Sequence, residues 1–512
     1  MKWLRLLCFL PVIVFFLTSA CQANKDAADG VREPAFAGKF YPASADKLRL
    51  TIEKYLQDAL PPRVKKPVAV IVPHAGYIFS GQICADGFRQ AGHHPYDVVV
   101  ILGTNHTSPG LQGVSLYPGE GFRTPLGIAA VDKTVIESLL TESPVDCMLD
   151  KSAHVSEHSV EVIVPFVQIV FPNAKIVPAV VGTQDRHTSI RFGQALAKVL
   201  KNKNALIVAS SDLSHYPSRD NAVKVDRQTL DAVATLDPAV FQKTIQNTMS
   251  KKIPNLSTCA CGEAPIIAAL AAARLLGADR GNVISYANSG DVSVGDSAQV
   301  VGYGAVVLTA GQKGISSSQT GLQKTAVVPF DLGTADKKAL LAFARETLSR
   351  FFTTDTVPLA RHFPAHLNHP RGVFVTLKKN GALRGCIGHL ITDEPLVKLV
   401  GAMALQAALN DGRFPPLTAE ELPDVDIEIS VLTPMKQAAR PSDIMVGRDG
   451  VVLSKDGRSA VFLPQVALEQ SWSRDDMLDH LCSKAGLEKR CWRQDATFSI
   501  FQAIVFTESQ LK

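Results

Sequence analysis

Short apolar runs alternate with amphipathic stretches along the first two-thirds of the chain. The apolar runs are mostly rich in Val and Ile, which predicts strands; they are Val68–Val72, Val98–Leu102, Ile176–Val181, Ala205–Ala209 and Val300–Leu308. Before and between them the pattern predicts helices at Ala45–Leu60, Thr134–Leu140, Ile190–Leu200, Arg227–Ala234 and Pro265–Leu276. Such alternation indicates βαβ units, so we expect an α/β fold with a doubly wound, mainly parallel sheet.

The alternation stops at residues 311–325, GQKGISSSQTGLQKT, a polar stretch without apolar periodicity. This composition is typical of a linker. A chain of 512 residues is too long for one ordinary core, so two domains are expected. The linker then separates a domain at residues 31–310 from a second one at residues 326–512.

The N-terminus has the pattern of a signal peptide at residues 1–20, with a basic start and the apolar run Leu6–Leu17. Small residues then lead into Cys21, as in a bacterial lipobox, although Thr18 stands where Leu is preferred. We expect lipidation of Cys21, a tether at residues 21–30 and membrane anchoring at the cell envelope. The alternative is an unlipidated protein that is secreted or periplasmic.

Net charge and cysteine usage exclude some classes of protein. The net charge of +5 is small and no dense Lys/Arg stripe accompanies it, which argues against a nucleic-acid partner. One cysteine lies in the leader and one is Cys21, and the remaining seven are irregularly spaced, which does not suggest a disulfide framework. Cys482 with Cys491 is the nearest candidate pair, while Cys84 and Cys147 are expected to be buried.

Three predicted strands run into loops that contain histidine. Their sequences are PHAGY with His74, GTNH with His106, and SSDLSH with Asp212 and His215. Ligands of open α/β sheets bind beyond the carboxyl ends of the strands. A single histidine of this kind would more often cap a helix or pack in the core. Three such loops that converge favour a site for a metal ion or for proton transfer.

Two further clusters carry candidate chemistry. Cys259 and Cys261 precede the predicted helix at Pro265, where a thiol is expected to have a lowered pKa. This C-x-C pair could form a disulfide or half of a zinc site, although no second pair completes the latter. The segment SEHSVE, which contains His158, fits a helix cap with acidic residues as well as it fits a catalytic role.

Five motifs, PHAGY, LGTNH, SEHSVE, SSDLSH and CGEAPI, resemble those of the Memo family in this order. The resemblance covers Phe36 to Gly304, and Ala35–Pro42 is similar to the family's opening AGxFYP signature. It implies a fold similar to class III extradiol dioxygenases, which use non-haem Fe(II). It also implies the metal ligands His74, His106 and Cys261, the polar neighbours Asp212 and His215, and an acid/base role for His158.

Two imidazoles and a thiolate form a coherent ligand set. They suit Fe(II), which we expect first, and also Cu or Zn, and they leave coordination positions open. Cys261 replaces the carboxylate of the usual facial triad, and a thiolate both changes the redox potential and is itself oxidisable.

The last part of the chain resembles the AMMECR family, an α+β domain without a known activity. The resemblance covers Leu340 to Thr507 and rests on the motifs RGCIG and RFPPL, with predicted strands at Gly372–Leu377 and Ile427–Leu432. Gly385 and Gly388 would either let a ligand approach the backbone or form tight turns around a core Cys386. The candidate site residues are Arg384, Cys386, His389 and Arg413.

Both families together are similar to the prokaryotic AmmeMemoRadiSam set, which implies a radical SAM protein as a candidate partner. This chain lacks a C-x₃-C-x₂-C motif, and export would separate it from a cytoplasmic partner. Our first hypothesis is a metal-dependent redox enzyme for an unknown small molecule or protein side chain, favoured by the proton-handling pair Asp212 and His215. The alternatives are a non-catalytic metal-binding or scaffold protein and, third, copper or iron handling at the envelope.

Overall fold

The computed structural model describes residues 30–183, 185–311 and 332–511. They form two compact units: the first consists of the described residues up to 290 with 296–311, and the second of 291–295 and 332–511. The predicted signal peptide, Cys21, all of the tether but residue 30 and all of the linker but residue 311 lie outside the described residues. These features and the exact domain limits stay predictions.

The first unit is built from short strands and helices in alternation. Its strands are β1 (Val31–Arg32), β2 (Pro67–Val72), β3 (Val98–Thr104), β4 (Val114–Leu116), β5 (Gly121–Thr124), β6 (Gly127–Ala130), β7 (Cys147–Leu149), β8 (Lys175–Val181), β9 (Ala205–Ser210), β10 (Arg280–Asn288) and β11 (Gly302–Thr309). Its helices are α1 (Ala45–Asp58), α2 (Tyr77–Ala91), α3 (Lys133–Glu142), α4 (Ser152–Val155), α5 (His158–Glu161), α6 (Val164–Val170), α7 (Arg186–Leu200), α8 (Arg219–Ala234), α9 (Pro238–Met249) and α10 (Glu263–Leu275). A short 3₁₀ helix, Ser289–Asp291, follows β10.

The main sheet has the strand order β10-β11-β2-β9-β3-β8-β4-β7. The central pairs β2–β9, β9–β3 and β3–β8 are parallel, and the β10–β11 hairpin joins β2 in antiparallel orientation. Strand β3 is buried at every position, as expected for a parallel strand covered on both faces. A small second sheet has the order β1-β5-β6. The predicted α/β class with a mainly parallel sheet is confirmed.

Two of the differences between the predicted and the observed element limits have a visible cause. The last strand begins at Gly302 rather than Val300, because the preceding residue, Val301, instead forms an isolated bridge with His215. Helix α8 begins at Arg219, before the predicted Arg227. Its first turns carry many polar residues, so they lack the apolar periodicity on which the prediction relied.

The second unit has two antiparallel sheets with helices, so the predicted α+β class is also confirmed. The sheets have the orders β13-β12-β14-β19 and β15-β18-β16-β17. The strands are β12 (Val373–Lys379), β13 (Ala382–His389), β14 (Val425–Leu432), β15 (Lys436–Ala438), β16 (Gly450–Lys455), β17 (Arg458–Phe462), β18 (Thr497–Phe501) and β19 (Ala503–Thr507). The helices are α11 (Thr334–Thr354), α12 (Leu396–Leu409), α13 (Pro464–Glu469), α14 (Arg474–Lys484) and α15 (Glu508–Leu511), with 3₁₀ helices at Ala365–Asn368, Leu422–Asp424, Pro441–Asp443 and Cys491–Arg493.

Four cysteines agree with the sequence predictions for pairing and burial. Cys482 and Cys491 form a disulfide in the second unit. Cys84 and Cys147 are buried free thiols in the first. Within the described residues, no helix combines the length and the apolar character that a bilayer span requires.

Both glycines of RGCIG lie within strand β13, so the tight-turn interpretation is wrong. A Cβ atom at Gly385 would come within 2.1 Å of the Ala407 carbonyl oxygen, in helix α12. A Cβ atom at Gly388 would meet the ring of Phe374 at 2.3 Å. The missing side chains thus allow close packing of protein against protein, rather than the approach of a ligand to the backbone.

Candidate functional site

The loops after β2, β9 and β3 meet at one edge of the main sheet because β9 lies between the other two strands. These strands run parallel, so their carboxyl ends share that edge. His74 follows β2, Asp212 follows β9 and His106 follows β3. The structure therefore brings together three residues that are far apart in the sequence.

Hydrogen bonds fix both the position and the tautomer of the buried His74. Its backbone N–H donates to Asp212 Oδ1 at 2.9 Å, and its Nδ1 lies 2.7 Å from Ser210 Oγ. The Ser210 hydroxyl donates its single hydrogen to the carbonyl of Ser159, so it must accept the hydrogen of Nδ1. The Nε2 atom is then left with its lone pair, and it lies 3.2 Å from Cys261 Sγ.

Glu157 orients His106 in the same way. The Glu157 carboxylate accepts the backbone N–H of His106 at 2.6 Å and faces its Nδ1 at 2.9 Å. Burial alone would raise the pKa of Glu157, but its hydrogen bonds with His106 and with the Ser159 amide lower it to about 2. An ionised carboxylate only accepts hydrogen bonds, so Nδ1 of His106 is the donor and its Nε2 carries a lone pair.

His158, the first residue of α5, completes a cluster of three imidazoles. Its ring stacks on that of His106, with centroids 4.5 Å apart, and meets the ring of His74 edge-on at 5.2 Å. Its Nδ1 lies 3.3 Å from Glu157 Oε1, the oxygen that also faces Nδ1 of His106. Phe36 and Phe40 also contact the His158 ring, at 5.5 and 5.0 Å, and give this side of the site an apolar wall.

Burial keeps the imidazoles of His74 and His158 neutral near pH 7. Burial, together with the neighbouring His106, lowers the pKa of His74 to about 3. Burial and the adjacent His74 and His106 lower the pKa of His158 to about 4. Neutral imidazole is the form that binds a metal ion.

Cys261 lies just before helix α10, but its thiol pKa is raised, not lowered as the sequence predicts. Burial is the main cause of the raised pKa, and the Asp212 carboxylate adds to it. Together they outweigh the lowering effect expected from the N-terminus of α10. Its backbone N–H donates to the Asp212 carbonyl at 3.3 Å. Cys259 and Cys261 are both free, so the C-x-C disulfide does not form.

Among the residues that the structure describes, two groups of side chains could each hold a metal ion, and His74 belongs to both. The first consists of His74, His106 and His158, and the second of His74, Asp212 and Cys261. Within each group the donor atoms lie within 4.8 Å of one another. The predicted ligands His74, His106 and Cys261 are therefore divided between the two groups. His158 and Asp212, predicted as an acid/base residue and a polar neighbour, also lie where they could bind the metal.

His215 lies outside both groups. Burial lowers the pKa of His215, and the nearby Asp212 carboxylate offsets part of this shift. The buried Nε2 atom of His215 has no hydrogen-bond partner among the described residues. Its backbone forms isolated bridges with Thr258 and Val301, which hold the loop after β9 in place.

The candidate residues of the second unit are only partly brought together. Arg413 donates to Asp411 and to the Cys386 carbonyl, and Asp411 accepts the Cys386 amide. Arg384 is bound instead by Glu421 and the Pro415 carbonyl. His389 is exposed and lies three positions after Cys386 in one strand, so its side chain is on the opposite face and the predicted grouping is wrong for it.

The first unit matches the family model described as Memo-like protein over residues 32–307, more than half of the chain. The chain belongs to the Memo-like family. A MEMO1 family protein from Methanopyrus kandleri is 36% identical over 292 residues, which cover 55% of this chain and 99% of that protein. A MEMO1 family protein from Aquifex aeolicus is 37% identical over 276 residues, covering 53% of this chain and 97% of that protein.

The second unit matches the family model described as AMMECR1 over residues 341–506. The two family models together show that the chain fuses a Memo-like unit to an AMMECR1-like unit. A solved structure of an uncharacterized protein from Pyrococcus horikoshii is 36% identical to the part of this chain that it matches, with 33% of this chain and 90% of that chain covered and a TM-score of 0.32.

Sequence analysis of the Memo-like unit missed the residues that support its histidines. Ser210 and Glu157 act through contacts across more than fifty positions of the chain, which no local pattern reveals. The available signal was the acidic residue beside His158 in SEHSVE. The Glu157 side chain does cap α5 by accepting the Ser159 amide, so it combines the cap with a contact to His106.

Proposed function

We propose that the Memo-like unit binds one metal ion through His74 and uses it for redox chemistry on a small organic molecule or a protein side chain. The observation that carries this proposal is the pair of hydrogen bonds that hold Nδ1 of His74 and of His106. Each of these bonds directs the lone pair of Nε2 away from the supporting residue. Histidines that bind metals are usually held by such a bond to their second nitrogen.

The donor set fits a transition metal better than Ca²⁺ or Mg²⁺. His74 and His106 would hold the ion, with Cys261, His158 or Asp212 as the third donor. Imidazole and thiolate donors suit Fe(II), Cu or Zn, and a bound Fe(II) would supply redox chemistry and open coordination positions. The Cys261 thiol, whose pKa is raised, must lose its proton to serve as a ligand, which makes binding pH-dependent.

The remaining residues provide the functions that a small substrate needs. The apolar wall of Phe36 and Phe40 packs against a hydrocarbon or aromatic part of the substrate. Neutral His215, with an unpartnered buried Nε2, accepts a proton from the substrate and returns it. Asp212 stabilises the resulting imidazolium because its carboxylate acts electrostatically on His215.

A second candidate function is metal binding without turnover, as a scaffold. The contact of 3.2 Å between Cys261 Sγ and His74 Nε2 favours it, since an oxidisable thiol beside the ion is a liability for oxygen chemistry. Export, lipidation at Cys21 and partnership with a radical SAM protein remain part of this proposal for either function.

Replacing His215 with glutamine separates the two functions. The enzyme proposal predicts unchanged Fe(II) content, because His215 is in neither donor group, and a loss of about 10²–10⁴-fold in turnover. Oxygen uptake by the Fe(II)-loaded chain with a panel of catechols measures it. If the wild-type chain binds Fe(II) but consumes no oxygen with any catechol, the scaffold function is favoured. A variant with full turnover would contradict the proton-transfer role.

Replacing Glu157 with glutamine is expected to weaken metal binding by about 10–100-fold, the usual cost of losing a residue that orients a ligand. The neutral amide can still accept from the His106 ring, but it lowers the basicity of that imidazole. Glu142, which bonds Lys198 at the surface, offers the matched control Glu142→Gln. Competition with a coloured chelator gives both affinities, and equal affinities in the two variants would contradict the role of Glu157.

A further inference from the structure

We propose that Asp226 is a positioning residue of the Memo-like site, whose carboxylate holds the loop after β9 in the conformation that fixes His215. Asp226 lies in helix α8, is completely buried and belongs to neither group of metal donors. The inference rests on the function proposed above, because the residue that Asp226 would support is the one that accepts the substrate proton.

Both oxygens of the Asp226 carboxylate bind Ser214, the residue directly before His215. Oδ1 accepts the backbone N–H of Ser214 at 2.9 Å, and Oδ2 accepts its hydroxyl hydrogen at 3.0 Å. The Tyr286 hydroxyl, in strand β10, also donates to Oδ2, at 2.9 Å. The carboxylate therefore ties the loop after β9 to helix α8 and to a strand at the edge of the main sheet.

Strand β11 leaves room for this carboxylate at its first residue, Gly302. A Cβ atom at Gly302 would collide with Oδ2 of Asp226. The Gly302 backbone also binds the loop, since its carbonyl accepts the N–H of Leu213 and its own N–H donates to the Ser214 carbonyl, both at 2.8 Å. Only a residue without a side chain allows the strand, the loop and the carboxylate to meet in this way.

The clamped loop lies directly beside the metal-binding residues. Asp212 precedes Ser214 by two positions, and its Oδ2 atom lies 3.9 Å from Nε2 of His74. The Asp212 carbonyl accepts the backbone N–H of Cys261 at 3.3 Å. A shift of Ser214 therefore moves His215 relative to a substrate that is bound at the metal site.

The loop continues from His215 in a strained conformation. Tyr216 has a φ of 71°, a clear outlier for a bulky side chain, and it is the only phenylalanine, tyrosine or tryptophan with positive φ in the described part of the chain. The backbone N–H groups of His215 and Tyr216 donate to the carbonyls of Thr258 and Val300, at 3.1 and 2.7 Å. Strain of this kind persists only where the surroundings over-determine the backbone, and it clusters at active sites. Together with these two bonds, the Asp226 carboxylate supplies that constraint.

A carboxyl group at this buried position is costly, which argues for a role beyond packing. Burial raises the pKa of Asp226 to about 7, although the hydrogen bonds from Ser214 and Tyr286 oppose the shift. An apolar side chain would fill the space without the cost of removing a carboxylate from water. Groups whose pKa is shifted in this way cluster at functional sites.

A double-mutant cycle between Asp226 and His215 tests the proposal. Asp226→Asn alone is expected to lower kcat for oxygen uptake with catechols about 10–100-fold, because a displaced proton acceptor reacts slowly, while KM and the Fe(II) content stay unchanged. In the His215→Gln background, the same substitution should have almost no further effect. Equal fold-losses in the two backgrounds would show that Asp226 supports only the fold and would overturn the proposal.

Two further variants keep the test valid if Asp226→Asn does not fold. Tyr286→Phe removes one donor to the carboxylate and keeps the ring, so we expect a smaller loss of kcat in the same direction. Asp231→Asn is the matched control on the same helix, because Asp231 bonds Arg227 at the surface. A loss of kcat in Asp231→Asn as large as that in Tyr286→Phe would contradict the proposal.

Hydrogen exchange separates this inference from the proposed function, because it needs no turnover. Peptide mass spectrometry of residues 213–217 should show amide exchange at least about ten-fold faster in Asp226→Asn than in the wild type, with β3 unchanged. Unchanged exchange in residues 213–217 would overturn the role of Asp226 even in an active enzyme. Faster exchange in a chain whose wild type consumes no oxygen would support the role of Asp226 in holding the loop and contradict the enzyme function.

Discussion

Replacing Arg32 with methionine is expected to destabilise the Memo-like unit by about 3–5 kcal/mol, the usual result of breaking a buried ion pair from one side. Arg32 Nη1 and Glu161 Oε2 lie 2.6 Å apart, and both side chains are almost completely buried. Methionine fills much of the same volume but leaves the Glu161 carboxylate charged and without its cation. The Tyr41 hydroxyl still donates to that carboxylate, which is not enough to replace a guanidinium.

The same guanidinium also secures the segment that carries Glu157 and His158. It donates to the carbonyls of His154, Val155 and Glu157, at 2.5, 3.2 and 2.9 Å. Its loss leaves three backbone carbonyls without this donor, two of them in buried contacts, and loosens the support of the imidazole cluster. We therefore expect Arg32→Met to weaken metal binding as well as folding.

Urea denaturation of the full chain measures this effect. Trp472 and Trp492 lie in the AMMECR1-like unit, so their fluorescence provides an internal reference while far-UV circular dichroism follows the whole chain. Arg123→Met is the matched control, because Arg123 pairs with Glu33 at the surface and such pairs contribute about 0–1 kcal/mol. Similar losses in both variants would contradict the importance of the buried pair.

Replacing His74 with alanine is expected to lower metal affinity by more than about 100-fold. His74 is the one residue shared by both donor groups, so neither group remains complete without it. The loss should exceed the roughly 10–100-fold cost of removing a residue that only orients a ligand. Chelator competition under anaerobic conditions measures the affinity of the variant against the wild type.

Two further variants keep this result interpretable. His106→Ala removes a side chain that is 29% exposed, so it should weaken binding while the fold is kept. His187→Ala removes an exposed histidine of α7 and should leave the affinity unchanged. If His74→Ala and His106→Ala both bind as tightly as His187→Ala, the metal is held elsewhere.

The fold could be predicted where burial imposes a continuous pattern. Strands β2, β3 and β9 are covered on both faces and therefore appear as unbroken runs of Val, Ile, Leu and Ala. The short strands β4 and β7 have three residues each, too few for any periodicity to appear. The role of the glycines in β13 was predicted wrongly, because a side chain there is excluded by Ala407 and Phe374, which only the tertiary structure brings close.

The strand pattern alone predicts the site residues that directly follow a recognisable strand, whereas Cys261 and His158 were named from the motifs CGEAPI and SEHSVE. His74, His106 and Asp212 have this property, and the strand order then brings them together. Glu157 and Arg32 could not be found in this way, because they act through side-chain contacts with distant parts of the chain.

The central claim is that the Memo-like unit holds one metal ion at His74. Its most direct test is anaerobic titration of the full chain with Fe(II), gel filtration and elemental analysis, repeated with Cu and Zn. We predict one equivalent of metal retained per chain in the wild type and almost none in His74→Ala. A wild-type chain that retains none of the three metals, or a His74→Ala chain that retains a full equivalent, would contradict the claim.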